Sequence, residues 1–269
     1  MIPPPLADAP LDLREAIDKL IAEPHVQGLV LVGSRSRGYN DGKSDFDLEA
    51  IVDDHFYEQL APLNRLALVW DGKPFESRLI GDIYTESRSH MEAKRHSLLD
   101  VDHWPYEVCS IWYDKNGDMV PLISGLGHFP EEIWETRLNV HHVDFWYHVS
   151  RARKIAERDS KLNYALVLTR AIHAYIKCIF VLNRRWPPLV HWGQHALERS
   201  NLPLRPANDV ALLTQALTTL DIAPLQQLVE ALPPLLDKVG QTLHQKRLDQ
   251  FVTVLGPTYT QARQQWSRY

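Results

Sequence analysis

The sequence predicts an α+β chain in two parts. A small mixed twisted β-sheet with flanking helices occupies residues 1–127, and an all-helical bundle occupies residues 128–269. Three observations lead there. Short apolar runs of strand length alternate with helical spacing up to about residue 123, and then stop. Gly125-Leu126-Gly127 followed by Pro130 punctuates the chain where they stop. The charge changes at the same place: residues 1–127 carry 12 Lys/Arg against 22 Asp/Glu, and residues 128–269 carry 17 against 12.

The elements follow in order. Residues 11–23, LDLREAIDKLIAE, space their apolar positions as an amphipathic helix, which Pro24 ends. VQGLVLVG at 26–33 is a short buried strand closing on glycine. Residues 34–45, rich in Ser, Arg, Gly, Asn and Asp, form a loop, and FDLEAIV at 46–52 a second strand. A short helix is expected over 53–60, strands over 66–70 and 74–80, and a helix over 86–98. The apolar runs on either side of Asp114-Lys115-Asn116-Gly117 suggest a hairpin, because Asn-Gly favours positive φ. Helices are expected over 131–158, 161–183, 207–220 and 223–248, with Pro233-Pro234 kinking or breaking the last.

Composition excludes several classes. The chain has 269 residues, 45% apolar and 23% charged, which is an ordinary globular balance. A net charge of −5 does not suit a general nucleic-acid binder. Cys109 and Cys178 stand alone, with no CxxC, so neither a zinc site nor a disulfide framework is expected. MIPPPLADAP lacks the basic-then-apolar pattern of a signal peptide. No run reaches about 18 uninterrupted apolar residues, so no membrane span and a cytoplasmic location are expected.

Chemistry concentrates in Leu29–Val52, LVLVGSRSRGYNDGKSDFDLEAIV. A strand ends at Gly33, where the backbone can turn sharply and a ligand can approach. Ser34 and the N–H groups after it can hold phosphate oxygens. Asp45 and Asp47 alternate on a strand, so both carboxylates point to one face. Two such carboxylates suit Mg²⁺, which takes oxygen ligands and shares substrate phosphates. Glu49 continues the same face, as a structural acid or a further ligand.

This segment resembles the signature of the nucleotidyltransferase superfamily that includes DNA polymerase beta and the aminoglycoside and lincosamide nucleotidyltransferases. The shared pattern is an apolar strand, Gly33-Ser34, eleven residues between Gly33 and Asp45, then Asp45-Phe46-Asp47. The Gly-Ser-Arg-Ser-Arg-Gly version is similar to that of the small bacterial members. A weaker echo is Leu182-Asn183-Arg184-Arg185-Trp186-Pro187-Pro188 followed by His191-Trp192; relatives carry Lys before that Trp, and here the position is His191. The resemblance implies a polymerase beta-type fold and a helical domain that completes a substrate cleft. It implies Mg²⁺, in two ions about 4 Å apart, held by Asp45, Asp47 and a third carboxylate on a neighbouring strand. Glu76 is expected in that role, because it lies within an apolar run where an acid needs a reason; Asp82 is the alternative. Gly33, Ser34 and Arg37 would face the nucleotide. The implied reaction transfers a nucleoside monophosphate, AMP from ATP, to the hydroxyl of a small acceptor and releases pyrophosphate. A protein acceptor and a non-catalytic nucleotide-binding module are the alternatives.

In the helical half, Arg137, His141, Asp144, His148 and Arg151 follow spacings of 4, 3, 4 and 3 and therefore share one helix face. Asn163, Arg170, Lys177 and Arg184 recur every seven residues, with His173 beside them. Such stripes are either wet faces or the lining of a cleft, where Asp144 and His148 are the candidate bases. His141, His142 and His148 lack the Cys or carboxylate company of a zinc site. The tryptophans at 104, 112, 134, 146 and 192 are expected in the core or at a domain interface.

Overall fold

The computed structural model describes residues 9–158 and 160–241. The chain divides into two compact units: residues 1–97 with 102–128, and residues 98–101 with 129–269.

The first unit is built on five strands: β1 (Val26–Val32), β2 (Phe46–Val52), β3 (Leu66–Trp70), β4 (Leu79–Ser87) and β5 (Ser110–Asp114), in spatial order β3-β4-β2-β1-β5. The sheet is mixed: β2 and β4 run parallel, and the other pairs antiparallel. The parallel pair requires a crossover. Helix α3 (Asp54–Gln59) and a 3₁₀ turn at Pro62–Arg65 begin it, and β3 completes it. Asp53 caps α3 by accepting from Phe56 N–H at 2.9 Å.

The sheet separates two cores because side chains alternate along each strand. Leu29, Leu31, Phe46, Leu48, Ala50 and Ile83 pack on one face with Leu13 and Ile17 of α1 (Leu11–Ile21). Val30, Val32 and Ile51 pack on the other with Met91, Tyr106, Met119 and Leu122. Those partners lie on α4 (Arg88–Lys94), α5 (Trp104–Glu107) and α6 (Met119–Gly127). A further one-turn helix, α2 (Gly33–Ser36), follows β1 directly.

Three sequence expectations change here. The strand expected over 74–80 starts instead at Leu79; residues 73–77 form a turn in which Phe75 takes a φ of 63°. The hairpin at Asp114–Gly117 has one strand only, since the second apolar run is helix α6. Asp114 accepts from the N–H groups of Gly117, Asp118 and Met119, which starts that helix. The Gly-Ser loop opens as a helical turn, not irregular chain.

The second unit is helical. Its long members are α7 (Glu131–Ala156) and α8 (Lys161–Leu182). Among the described residues four shorter α-helices follow: α9 (Gly193–Arg199), α10 (Asp209–Thr219), α11 (Ala223–Ala231) and α12 (Pro233–Asp237). Proline at 233 and 234 splits the helix expected over 223–248 after Ala231, and its part beyond 241 lies outside the described residues. Helix α8 is apolar and long enough to cross a membrane, yet Leu168, Tyr175, Cys178 and Phe180 bury it as the centre of this unit. Trp104, Trp112 and Trp134 are core residues, whereas Trp146 is 39% exposed. Both cysteines are free.

Candidate active site

The site forms where β1 ends and β2 begins. These strands are antiparallel, so Val32 pairs with Asp47, and the residues just past Val32 lie beside the first carboxylates of β2. Gly33 takes a φ of 70° there. A methyl group at this position would overlap Asp47 Oδ2, so the close approach and the positive φ both demand glycine. The next residue, Ser34, is 3% exposed, and its backbone N–H donates to the Asp47 carboxylate.

Asp47 pairs on its other side with Asp82 of β4. Residues paired in register point to the same face, so the two carboxylates are neighbours. Asp45, two residues before Asp47, adds a third negative charge that acts on both. Burial first, then Asp45 and Asp82, push the Asp47 carboxyl up to about 7. Burial, Asp45 and Glu49 push Asp82 up to about 6. Asp82 Oδ1 is buried without a hydrogen-bond partner among the described residues. Three repelling acids and an unmet buried oxygen form a site prepared for positive charge.

Glu76 does not join this group. It lies in the exposed turn before β4, with its side chain 72% exposed, and pairs with Lys73 at 3.5 Å. Asp82 stands where the sequence reading expected Glu76, because β4 begins five residues later than the apolar pattern suggests.

Arg37 also departs from expectation. Its guanidinium stacks on the Trp104 ring at 3.8 Å, donates to Trp104 O and lies 3.8 Å from Glu107, with only 2% of the side chain exposed. It braces α2 against α5. The cation beside the acids is Arg35, which sequence reasoning missed. Its Nε donates to Asp45 O at 2.9 Å and its Nη2 to Ser44 O at 2.7 Å, and it lies over the Phe46 ring at 3.9 Å. The Asp45 and Asp47 carboxylates both act on it electrostatically. Two alternate arginines in one turn point different ways: Arg35 turns to the nearby Ser44, Asp45 and Phe46, and Arg37 to the distant Trp104 and Glu107.

Glu49 is held in a separate internal network. Tyr106 OH donates to its Oε2 at 2.6 Å, and Lys94 Nζ reaches Tyr106 OH at 3.2 Å and Glu86 at 3.1 Å. Burial raises the Glu49 carboxyl and, with Glu49 beside it, the Tyr106 hydroxyl. Glu49 therefore reads as a structural acid.

In the second unit, His141, Asp144 and His148 of α7 and Arg170, His173 and Lys177 of α8 border one cavity. Arg184 lies past the end of α8 and pairs instead with Glu131 at 2.7 and 2.9 Å. Among the described residues, no three His, Cys, Asp or Glu side chains in either unit form a ready-made metal cage.

Comparison with known proteins gives three findings. A family described as "Domain of unknown function (DUF4037)" matches residues 81–193. No curated protein matches. Among solved structures the chain is similar to a nucleotidyltransferase-like protein from Exiguobacterium sibiricum 255-15, with 16% identity over 94% of this chain and 89% of that one, at a TM-score of 0.44.

Proposed function

We propose that this chain is a nucleotidyltransferase that moves a nucleoside monophosphate, AMP from ATP, onto an acceptor hydroxyl and releases pyrophosphate. The observation that carries the reading is the meeting of Asp45, Asp47 and Asp82 beside the Gly33-Ser34 turn. The sequence signature around those residues supports it independently.

Mg²⁺ fits this group. It needs no protein cage, since one or two carboxylates, waters and substrate phosphates complete its shell. Asp45, Asp47 and Asp82 would hold it, and it would neutralise the phosphates and favour loss of the acceptor hydroxyl proton. The chain's own residues supply placement. Gly33 lets the turn lie directly against the Asp47 carboxylate, since a side chain there would collide with it. Arg35, anchored on Ser44 and Asp45 carbonyls, offers fixed positive charge beside the acids. Arg78 steadies the same loop by donating to Ser44 O at 3.1 Å. Ser36 Oγ in the turn is engaged with the Gly33 and Val108 carbonyls, and direct transfer with catalysis by positioning and charge is the reading.

The test is magnesium-dependent pyrophosphate release from ATP, measured against a panel of small hydroxylated molecules and of proteins. Release with a small acceptor supports the proposal, and release with a protein alone changes the acceptor class. Nucleotide binding with no release under any acceptor makes the chain a binding module and overturns the proposal.

A further inference from the structure

The helical unit encloses a cavity of about 410 Å³, within the usual size of a small-molecule site. Its polar wall comes from α7 and α8 together with Asp100 and His191, and its apolar wall from Ala174, Pro188, Leu189 and Val190. Two features of the polar wall point to a ligand.

The first is charge. Asp100 lines the cavity and receives both Lys177, at 3.0 Å, and the fully buried Arg137 behind it. Two cations thus share one carboxylate. Arg170 and Asp144 add one charge of each sign to the lining. Three cations stand against two carboxylates before any imidazole takes a proton. Burial, followed by Lys177 and Arg137, holds His141 well below its ordinary range; burial and Lys177 lower His173 as well. Both imidazoles are therefore neutral near pH 7 and feel net positive neighbours.

The second is an unmet group. His141 is 1% exposed, and its Nε2 is buried with no hydrogen-bond partner among the described residues. Buried ring nitrogens in folded proteins are nearly always paired, and a ligand oxygen would pair this one.

We propose that this cavity binds a small organic anion, its carboxylate or phosphate oxygens taken by Lys177, Arg170 and His141 and its apolar body packed on Ala174, Pro188, Leu189 and Val190. A cationic ligand would meet the excess of positive charge. A metal ion would find no three-residue ligand group among the described residues. The inference rests on the helical unit alone and stands independently of nucleotidyl transfer.

The experiment follows the imidazole NMR signals of His141 and His173 in the full chain during titration with benzoate, phenyl phosphate and benzyl alcohol. At least one of the two anions shifts both signals, and the tighter one names the head group. Benzyl alcohol, with the same ring and no charge, binds at least about tenfold more weakly. Arg170→Gln changes an exposed side chain, so the fold survives, and it weakens the anion about tenfold. Lys177→Gln does the same if it folds. The proposal is overturned if neither anion moves the two rings, if benzyl alcohol binds as tightly as the anions, or if Arg170→Gln leaves anion affinity unchanged.

Discussion

Asp47 shows how one residue records its site. Its carboxyl is raised to about 7, so between pH 4 and 7 the folded chain holds a proton that the unfolded chain releases. Stability therefore falls as pH rises through that window, and the loss is complete above about pH 7. Thermal melts at pH 5 and pH 8 should show Asp47→Asn more stable than the parent at pH 8, with the gap narrowed at pH 5. Added Mg²⁺ should stabilise the parent at pH 8 and the variant much less. Activity should divide the acids. Asp45→Asn, Asp47→Asn and Asp82→Asn each remove a charge from the site and should cost at least about 100-fold in transfer. Glu76→Gln changes an exposed turn and should cost nothing measurable; a large loss there, with Asp82→Asn active, would overturn the placement of the third acid. Gly33→Ala should destabilise by about 1–2 kcal/mol from the left-handed backbone alone, and it should also displace Asp47. Of this site, Gly33, Ser34, Asp45 and Asp47 were legible because they lie within 15 residues of one another and their geometry is local. Asp82 was legible only as the alternative, because strand register decides it, and Arg35 was not, because its neighbour Arg37 is drawn away by Trp104, 67 residues on.

At the scale of elements, Asp114 separates two readings of the same letters. SIWYDKNGDMVPLI has the apolar runs and the Asn-Gly of a hairpin, and periodicity over so few residues does not distinguish strand from helix. The structure decides through side-chain capping, since the Asp114 carboxylate takes three N–H groups at the start of α6. Asp114→Ala should therefore cost about 1–2 kcal/mol of stability, measured by urea unfolding, with Asp114→Asn recovering part of it. An unchanged midpoint for the alanine variant would show that apolar packing of Met119 and Leu122 alone starts the helix. The same ambiguity misplaced β4. KPFESRLIGD alternates well enough to be a strand throughout, yet Ser77 Oγ donates to Lys73 O at 2.7 Å and Arg78 N–H to Asp71 at 2.8 Å, which closes the first half into a turn. The long helices α7 and α8 were legible because many turns of helical spacing leave no competing period.

At the scale of the whole molecule, the chain crosses between its two units more than once. Leu98–Val101 belongs to the helical unit although sheet-unit chain precedes and follows it. Asp100 explains the excursion, for it is the counter-ion of Arg137, which is 0% exposed on α7. A guanidinium so placed is costly without a partner, and its stack near the Trp186 ring at 4.9 Å supplies no negative charge. No pattern in the sequence around Leu98–Val101 announces this, because four residues carry no period and the partner is 37 positions away. Asp100→Asn should destabilise the protein by about 3–5 kcal/mol, the cost of stranding a buried charge. Adding Arg137→Met to that variant should return most of the loss, because an apolar side chain of similar length needs no counter-ion. Urea unfolding of the parent, the single variant and the pair measures this directly. If the pair is no more stable than Asp100→Asn, then Asp100 is held for Lys177 and the cavity beside it, and the burial of Arg137 needs another explanation.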